Sequence, residues 1–262
     1  MVFRLFRRPK SEPAFEASSE GRLVYAVGDV HGRADLLIDL LELIVRDCSN
    51  APRRAENRPH LVFLGDYIDR GPSSRQVVDI VLELAGSSYF EICALKGNHE
   101  EALSNFLVDP AFGPPWLAHG GDMTLRSYGI EPLAGTAPLA RWVELQAAFA
   151  EPLPTSHAIF FDSLELIHCV GDYVFVHAGI KPGVRLDRQA PTDLLWIREP
   201  FLSHSRPSDK MIVHGHTPTN EPYRDAHRIG VDTGAYATGI LTAARILDGD
   251  VQFLRARAGT ID

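Results

Sequence analysis

The chain has 262 residues, of which 45% are hydrophobic and 23% are charged, and its formal net charge is −8. A chain of this length and composition buries a substantial core, which excludes the disordered and fibrous classes. The negative charge opposes binding along a nucleic-acid backbone, so nucleic acid is not an expected partner. Cys48, Cys93 and Cys169 are widely spaced and form no Cys-x-x-Cys pair, so they indicate neither a disulfide framework nor a thiolate zinc site. They fit a reducing cytoplasm, which is the expected location.

The sequence contains no apolar run near the roughly 20 residues that cross a bilayer, so no membrane span is expected. Residues 1–20 are predicted to form a flexible tail. Its first ten residues include four basic side chains, and no apolar stretch follows that is typical of a secretory signal. Residues 21–262 are predicted to form a single domain.

The first half of the domain alternates between strand and helix patterns. Buried strands are predicted over residues 23–27, 60–64 and 90–95, and helices over residues 35–47, 74–84 and 100–107. This alternation is typical of parallel βαβ crossovers, which bring the loops that leave the strands to one edge of the sheet. Ligands of open α/β sheets bind at that edge.

The second half of the domain lacks this regular alternation of strands and helices. Residues 109–154 contain seven prolines and one clear helix pattern, over residues 139–149, so a cap-like insertion is expected around residues 109–162. A hairpin is predicted from residues 164–169 and 173–177. Short strands are predicted over residues 211–213, 228–231, 241–247 and 251–254.

Side chains that bind metals are concentrated in five glycine-flanked segments at the ends of predicted strands. These segments are Gly-Asp-Val-His-Gly at 28–32, Gly-Asp-Tyr-Ile-Asp-Arg-Gly at 65–71, Gly-Asn-His-Glu at 97–100, His-Ala-Gly at 177–179 and His-Gly-His-Thr at 214–217. Carboxylate, imidazole and amide groups suit Mn²⁺, Fe or Zn²⁺. The spacings from Asp29 to Asp66 and from Asp66 to Asn98 each fit one strand, loop and crossover helix, so these side chains are expected to converge.

In this order the segments resemble the serine/threonine-specific phosphoprotein phosphatase family of the calcineurin-like metallophosphoesterases. Residues 231–235, Val-Asp-Thr-Gly-Ala, are similar to its short bacterial and bacteriophage lambda branch. The resemblance implies an α/β sandwich of two mixed β-sheets flanked by helices, with a centre of two divalent metal ions. Mn²⁺ is the first expectation for the metal, and Fe and Zn²⁺ are the alternatives. The implied ligands are Asp29, His31 and Asp66 for one ion and Asp66, Asn98, His177 and His216 for the other, with Asp66 bridging.

The same resemblance implies the roles of the remaining site residues. Two neighbouring cations turn a shared water into a hydroxide that attacks phosphorus. His99 matches the general acid that protonates the leaving oxygen, and Asp69 is expected to orient it. Arg70 and Arg198 are expected to bind the phosphate, together with Asn98.

Other polar residues near these motifs have simpler interpretations. His214 should face away from His216 in an extended strand, which favours packing or a hydrogen bond over metal ligation. Asp232 is typical of a turn or of a residue that supports a ligand. Glu100 is expected to stabilise the start of the helix that it opens.

The expected function is therefore metal-dependent hydrolysis of phosphoserine and phosphothreonine monoesters in proteins or peptides, with phosphotyrosine left open. An alternative is a diadenosine-tetraphosphate hydrolase of the same superfamily, although that branch typically lacks an acid at Asp69 and often has aspartate at Glu100. A non-catalytic metal-binding regulatory protein is disfavoured because every implied ligand and His99 are present. No regulatory subunit is inferred, since Lys96 and Ala178 depart from the eukaryotic members.

Overall fold

The strands form two mixed sheets in the computed structural model, which describes residues 16–51, 58–206 and 208–259. The strands in this part of the chain are β1 (Leu23–Val27), β2 (His60–Phe63), β3 (Glu91–Ala94), β4 (Ile167–Val170), β5 (Tyr173–Val176), β6 (Met211–His214), β7 (Tyr223–Arg224), β8 (Arg228–Gly230), β9 (Ile240–Leu247) and β10 (Asp250–Arg257). The first sheet has the order β10-β9-β1-β2-β3, and the second has the order β4-β5-β6-β8-β7. The predicted tail lies outside the described residues up to position 15.

Helices flank both sheets. They are α1 (Ala34–Asn50), α2 (Ser74–Gly86), α3 (Asn98–Val108), α4 (Gly113–Trp116), α5 (Asp122–Ser127), α6 (Leu139–Ala150), α7 (Thr155–Ser163), α8 (Pro191–Trp196) and α9 (Ala235–Thr238). Single 3₁₀ turns lie at Pro110–Phe112 and Leu186–Arg188, and a π turn lies at Leu117–Gly121. The two mixed sheets flanked by helices confirm the predicted fold class.

The buried pattern of β1 explains how the layers assemble. Leu23, Tyr25 and Val27 pack in the cluster that includes the helices, whereas Val24 and Ala26 pack in the cluster between the sheets. Strands that are buried on both faces read as continuous apolar runs because alternate side chains meet different layers. β1, β2 and β3 pair in parallel, as the βαβ pattern predicts, while β9 pairs with β1 in the antiparallel direction.

The expectation of one helix in residues 109–154 is wrong, because α4 and α5 also lie there and α7 follows directly. Prolines do not prevent these helices, since a proline in the first turn gives up an N–H that has no intrahelical partner. α4 has proline in its first turn, and α6 and α7 each begin directly after a proline. Trp116, Leu125 and Phe149 from this segment are buried in the same cluster as α1 and α2.

The carboxyl ends of β1, β2, β3, β5 and β6 place their following loops close together. A side chain at Gly97 would collide with the Asp66 carboxylate, and one at Gly215 would collide with the Asp29 carboxylate. Glycine at these two positions therefore permits the loops to approach one another. Within the described ranges, no helix has the length and apolar character needed to cross a membrane.

Candidate metal centre

The structure brings the six predicted ligand side chains together at the sheet edges. Asp29 and His31 follow β1, Asp66 follows β2, Asn98 begins α3, and His177 and His216 follow β5 and β6. All six residues are between 0% and 6% exposed. Groups of this polarity are rarely buried together unless they are paired or bind a cation.

Five residues of this site hold a left-handed backbone that side chains other than glycine rarely adopt. The φ angles lie between 44° and 71° for His31, Asp66, Asp69, Arg70 and His216. Each such residue costs about 1–3 kcal/mol and persists only where the surrounding structure enforces it. These five backbone conformations therefore lower the stability of the fold, and they orient the side chains toward the site.

Asp66 lies between two groups of histidines. Its Oδ2 atom is 3.4 Å from His31 Nε2, and its Oδ1 atom is 3.5 Å from His177 Nε2. The donor atoms of His31, Asp66 and His99 lie within 4.8 Å of one another, and so do those of Asp66, His177 and His216. One carboxylate thus belongs to both groups, which is the geometry that a bridging ligand needs.

Backbone contacts fix how two of the histidines present their nitrogens. His31 Nδ1 lies 2.8 Å from the Ile68 carbonyl oxygen, and His177 Nδ1 lies 2.8 Å from the Leu64 carbonyl oxygen. A carbonyl only accepts, so each Nδ1 must donate. Burial lowers the pKa of His31 to about 3 and also lowers the pKa of His177, which favours the neutral form of both rings. Their Nε2 lone pairs therefore face the Asp66 carboxylate.

The arrangement sets acceptor atoms against acceptor atoms, which a cation would reconcile. Asn98 Oδ1 lies 2.9 Å from His177 Nε2 and 2.9 Å from His216 Nδ1. His216 Nε2 is buried and has no hydrogen-bond partner among the described residues. Whichever tautomer His216 adopts, its Nε2 is a buried polar atom without a partner in the described part of the chain, and such an atom is costly. This donor set of oxygen and nitrogen therefore fits divalent metal ions.

The buried carboxylates also favour the binding of divalent metal ions at this site. Burial raises the pKa of Asp29 well above its usual range, and the neighbouring carboxylates of Asp232 and Asp66 raise it further. Burial alone would also raise the pKa of Asp66, but His177, His99 and His31 hold it below its usual range. Metal ions between these groups would relieve the repulsion among the carboxylates.

His99 lies beside this cluster in a hydrogen-bonded arrangement of its own. Its Nδ1 is 2.6 Å from Asp69 Oδ2, and the same carboxylate accepts from Trp116 Nε1 at 3.0 Å and from Thr124 Oγ1 at 2.6 Å. Burial lowers the pKa of His99, but Asp66 and Asp69 outweigh burial and raise it. Asp69 is fully buried, so it holds the imidazole in one orientation.

Two arginines contact residues of the site. The guanidinium of Arg70 is 3.1 Å from His99 Nε2 and lies 4.6 Å from the centre of the Tyr236 ring. Arg198 is exposed and donates to the carbonyl oxygen of His216 at 3.5 Å. Cationic groups at these positions create a favourable potential for an anionic substrate.

His214 and Asp232 make contacts that explain their burial without metal ligation. His214 Nε2 lies 2.9 Å from the hydroxyl of Tyr223, and His214 Nδ1 lies 3.0 Å from the carbonyl oxygen of Gly215. Asp232 accepts a hydrogen bond of 2.8 Å from the backbone N–H of Gly234. Burial raises the pKa of Asp232 to about 6.

Glu100 stabilises two ligand loops at once. Its carboxylate accepts backbone hydrogen bonds from Asp66, Tyr67 and Ile68 at 2.8–3.3 Å, and from Gly97 at 2.9 Å. The residue is fully buried. Glu100 therefore does more than begin a helix, because it fixes the loop that carries Asp66 against the loop that carries Asn98.

Replacing Glu100 by glutamine should destabilise the protein and loosen the site. The amide nitrogen of glutamine cannot accept, so two of these backbone N–H groups lose their partner, at about 1–3 kcal/mol each. Metal affinity should fall by about 10- to 100-fold. Denaturant unfolding and metal titration measure the two effects, with exposed Glu151→Gln as the matched control. Equal stability of the two variants would contradict this role.

An apolar pocket of about 210 Å³ lies directly beside His99. Asn98 and His99 contribute to its wall, and the rest is formed mainly by Ala102, Phe112, Pro115, Trp116, His119 and Trp196. The Trp196 side chain is 45% exposed, and its Nε1 donates to Glu101 at 2.6 Å, which fixes the orientation of the ring. The pocket therefore offers aromatic surface next to the cluster.

Sequence reasoning missed Trp116, Thr124, Trp196 and Tyr236 as site residues. Trp116 and Thr124 come from the segment whose helices were not predicted, and Tyr236 lies in the short helix α9 beyond the last motif. No spacing rule connects them with the strand-end motifs. Among these four residues, Trp196 alone is close in sequence to a predicted site residue, since it lies two residues before Arg198.

Sequence comparison finds relatives that match this chain over most of its length. The chain is 28% identical over 234 residues to the bis(5'-nucleosyl)-tetraphosphatase PrpE [asymmetrical] of Bacillus cereus strain AH820, covering 84% of this chain and 88% of that protein. It is 26% identical over 238 residues to the protein of the same name from Oceanobacillus iheyensis, covering 84% and 86%.

Two solved structures share the fold. One is a candidate diadenosine tetraphosphatase, with a TM-score of 0.62, 20% identity and coverage of 92% of this chain and 97% of that chain. The other is the cold-active protein-tyrosine phosphatase of a psychrophilic Shewanella, with a TM-score of 0.54, 19% identity and coverage of 89% and 80%.

The sequence profile of the calcineurin-like phosphoesterases matches residues 23–245. This range includes both sheets up to β9 and every residue of the buried cluster described above. This match over most of the chain shows that the chain belongs to the calcineurin-like phosphoesterase family.

Proposed function

We propose that the protein is a dinuclear-metal hydrolase that cleaves dinucleoside tetraphosphates, with diadenosine tetraphosphate as the representative substrate. The observation that carries this choice is the aromatic pocket beside His99, which suits a nucleobase. The names of the Bacillus and Oceanobacillus relatives support it. The substrate differs from the phosphoprotein that the sequence motifs favour.

The position of the pocket suggests which part of the substrate it binds. His99 would donate a proton to the leaving oxygen, so a pocket in contact with His99 receives the group attached to that oxygen. At about 210 Å³ it is smaller than the roughly 300–1,000 Å³ sites that enclose whole ligands, and it suits one ring system. A purine stacked on Trp196 would place the polyphosphate beside the buried cluster.

The residues of the chain have separate tasks in this proposal. Asp29, His31 and Asp66 would hold one divalent cation, and Asp66, Asn98, His177 and His216 the other. When bound, these cations lower the pKa of a water and neutralise phosphoryl charge. Arg70 and Arg198 would bind the phosphate oxygens, with Asn98 beside them.

In this proposal His99 transfers the proton and Asp69 supports it. Asp69 accepts the Nδ1 proton of His99, which leaves Nε2 as the atom that faces the substrate. Arg70 contacts Nε2 at 3.1 Å, and a phosphate that engages the guanidinium would release this nitrogen to carry a proton. Asp69 stabilises the charged imidazolium that donates this proton.

Replacing Trp196 by alanine should raise the KM for diadenosine tetraphosphate by about 5- to 150-fold, because stacking of one base contributes about 1–3 kcal/mol. β-Glycerophosphate has no aromatic group, so its hydrolysis should be much less sensitive. Tyr89→Ala is the matched control, since Tyr89 is 41% exposed and is not part of the pocket wall. Equal changes in KM for both substrates would argue against a base in this pocket.

A phosphomonoesterase acting on phosphoproteins or phosphopeptides is the second candidate, and the His99–Asp69 pair favours it. The carboxylate of Asp69 is buried and accepts from three side chains, so it is built to support a strong proton donor. A serine phosphate must expel a basic alkoxide and needs such a donor more than a polyphosphate does. The aromatic pocket would then receive an apolar side chain of the peptide or the ring of phosphotyrosine.

One assay separates the two candidates. The same Mn²⁺-loaded preparation is tested on diadenosine tetraphosphate and on a phosphoserine peptide, and the products are separated by chromatography. We expect kcat/KM to be at least about tenfold higher for diadenosine tetraphosphate, a difference of about 1.4 kcal/mol in transition-state binding. A higher kcat/KM for the peptide would reject the first candidate in favour of the second.

A further inference from the structure

A second group of metal-binding side chains lies where the edge strands β3 and β4 approach each other, and it shares no residue with the candidate metal centre. One donor atom each from Cys93, Glu165 and His168 lies within 4.8 Å of the other two. Zinc bonds of 2.0–2.3 Å place tetrahedral ligands about 3.3–3.8 Å apart, so small side-chain adjustments would close this group around an ion. The group could not be found from sequence spacing, because Cys93 is about 70 residues from Glu165 and His168.

The group lies where an edge of one sheet meets an edge of the other. β3 is the edge strand of the first sheet, and β4 is the edge strand of the second. Between them, Leu95 and Glu165 form an isolated parallel bridge, in which Glu165 N donates to the Ala94 carbonyl at 3.1 Å. No longer ladder is found between the sheets in the part of the chain that the structure describes.

The strand alternation directs two of the three side chains into the space between the sheets. Cys93 is 7% exposed and packs in the cluster between the sheets. His168 pairs with Phe175, whose side chain belongs to the same cluster, so both face inward. Glu165 lies at the rim with 59% of its side chain exposed. The three donors thus run from the interior to the solvent, which leaves a path for an ion.

The histidine of this group lacks the hydrogen bonds that a buried imidazole usually makes. His168 Nε2 is buried and has no hydrogen-bond partner among the described residues, and His168 Nδ1 is 4.0 Å from Glu165. Burial, together with the carboxylates of Glu165 and Glu91, raises the pKa of Cys93 to about 12. The same negative charge attracts a cation, which would bind the thiolate in place of the proton.

We propose that Cys93, Glu165 and His168 form a zinc site that fastens the edges of the two sheets to each other. Sulfur, nitrogen and carboxylate oxygen form a ligand set that suits Zn²⁺, whereas the oxygen and nitrogen ligands of the candidate metal centre also suit Mn²⁺. Three protein ligands leave one position for water. The site is independent of the hydrolysis proposed above.

Cobalt binding tests the site, because a Co²⁺–thiolate bond gives a charge-transfer band in the near ultraviolet. The candidate metal centre contains no cysteine, so Co²⁺ bound there cannot produce this band. Full-length protein is stripped with a chelator and titrated with Co²⁺ and then with Zn²⁺. We expect the band to reach the intensity of one thiolate-bound Co²⁺ per chain by the time three Co²⁺ are bound, two of them at the candidate metal centre, and Zn²⁺ to remove it.

Two cysteine variants locate the sulfur. Cys93→Ser should abolish the band, while Cys169→Ser should keep it, because Cys169 is the exposed neighbour of His168 and alternates to the other face of β4. His168→Gln retains the thiol and should weaken Co²⁺ binding at this site by at least about tenfold. Absence of a sulfur band in the wild type, its persistence in Cys93→Ser, or unchanged affinity in a folded His168→Gln variant would overturn the proposal.

Discussion

Replacing Asp66 by asparagine is expected to lower kcat/KM by about 10³-fold or more and to reduce the bound metal. The two oxygens of Asp66 face different histidines, His31 at 3.4 Å and His177 at 3.5 Å. Asparagine keeps one acceptor oxygen and no negative charge, so at most one cation keeps this ligand and neither keeps its charge. Loss of metal-based charge stabilisation is worth several kcal/mol, and about 4 kcal/mol corresponds to this factor.

The effect of Asp66→Asn should exceed that of His31→Asn, which removes a ligand from one group alone. Asp35→Asn makes the same chemical change at an exposed position and is the control for a general effect of lost charge. Elemental analysis of metal per chain is measured beside the rate. Wild-type metal content together with a wild-type rate in Asp66→Asn would show that Asp66 does not bridge two ions.

Replacing His99 by asparagine is expected to lower kcat by about 10²- to 10⁴-fold while both metals remain bound, which is the usual contribution of general acid catalysis. The loss should depend on the leaving group. A serine phosphate expels a basic alkoxide, whereas nitrophenyl phosphate expels a stable phenoxide and diadenosine tetraphosphate expels a nucleotide through a weakly basic phosphate oxygen. The loss should therefore be largest on the phosphoserine peptide. Asp69→Asn should show the same order more mildly, because it removes the orienting charge and not the acid.

The control for His99 is His204→Asn, since His204 is exposed and far from the motifs in the sequence. Metal content is measured for every variant, because His99 Nε2 lies 3.9 Å from Asp66 Oδ2. Equal losses on all three substrates would mean that His99 positions the phosphate and does not transfer a proton. Loss of metal in His99→Asn would make it a ligand.

The convergence of the ligands could be predicted from the sequence because it follows from the fold topology. Asp29, Asp66 and Asn98 each come after a strand, and parallel βαβ units bring such positions to one sheet edge. The structure places the three side chains in one buried group. Helix and strand boundaries differ from the prediction by a few residues, as in α1, which extends from Ala34 to Asn50.

The substrate pocket and the support for Asp69 could not be predicted, because they depend on tertiary packing. Trp116 belongs to a proline-rich segment with no strong periodic pattern, yet it is buried and donates to Asp69. Trp196 and Phe112 are far apart in the chain and meet only in the folded pocket. The motifs therefore predict the chemistry more reliably than the substrate, and this explains why the phosphoprotein expectation gives way to the dinucleotide proposal.

The central claim is that the buried cluster holds two divalent ions that hydrolysis requires. Its most direct test is the rate of diadenosine tetraphosphate hydrolysis by chelator-treated protein as Mn²⁺ is added back, with metal per chain measured at each step. Since the ions supply both the activated water and the charge neutralisation, we expect the stripped protein to be nearly inactive and the rate to rise until two ions are bound. Undiminished hydrolysis after verified removal of metal would contradict the account.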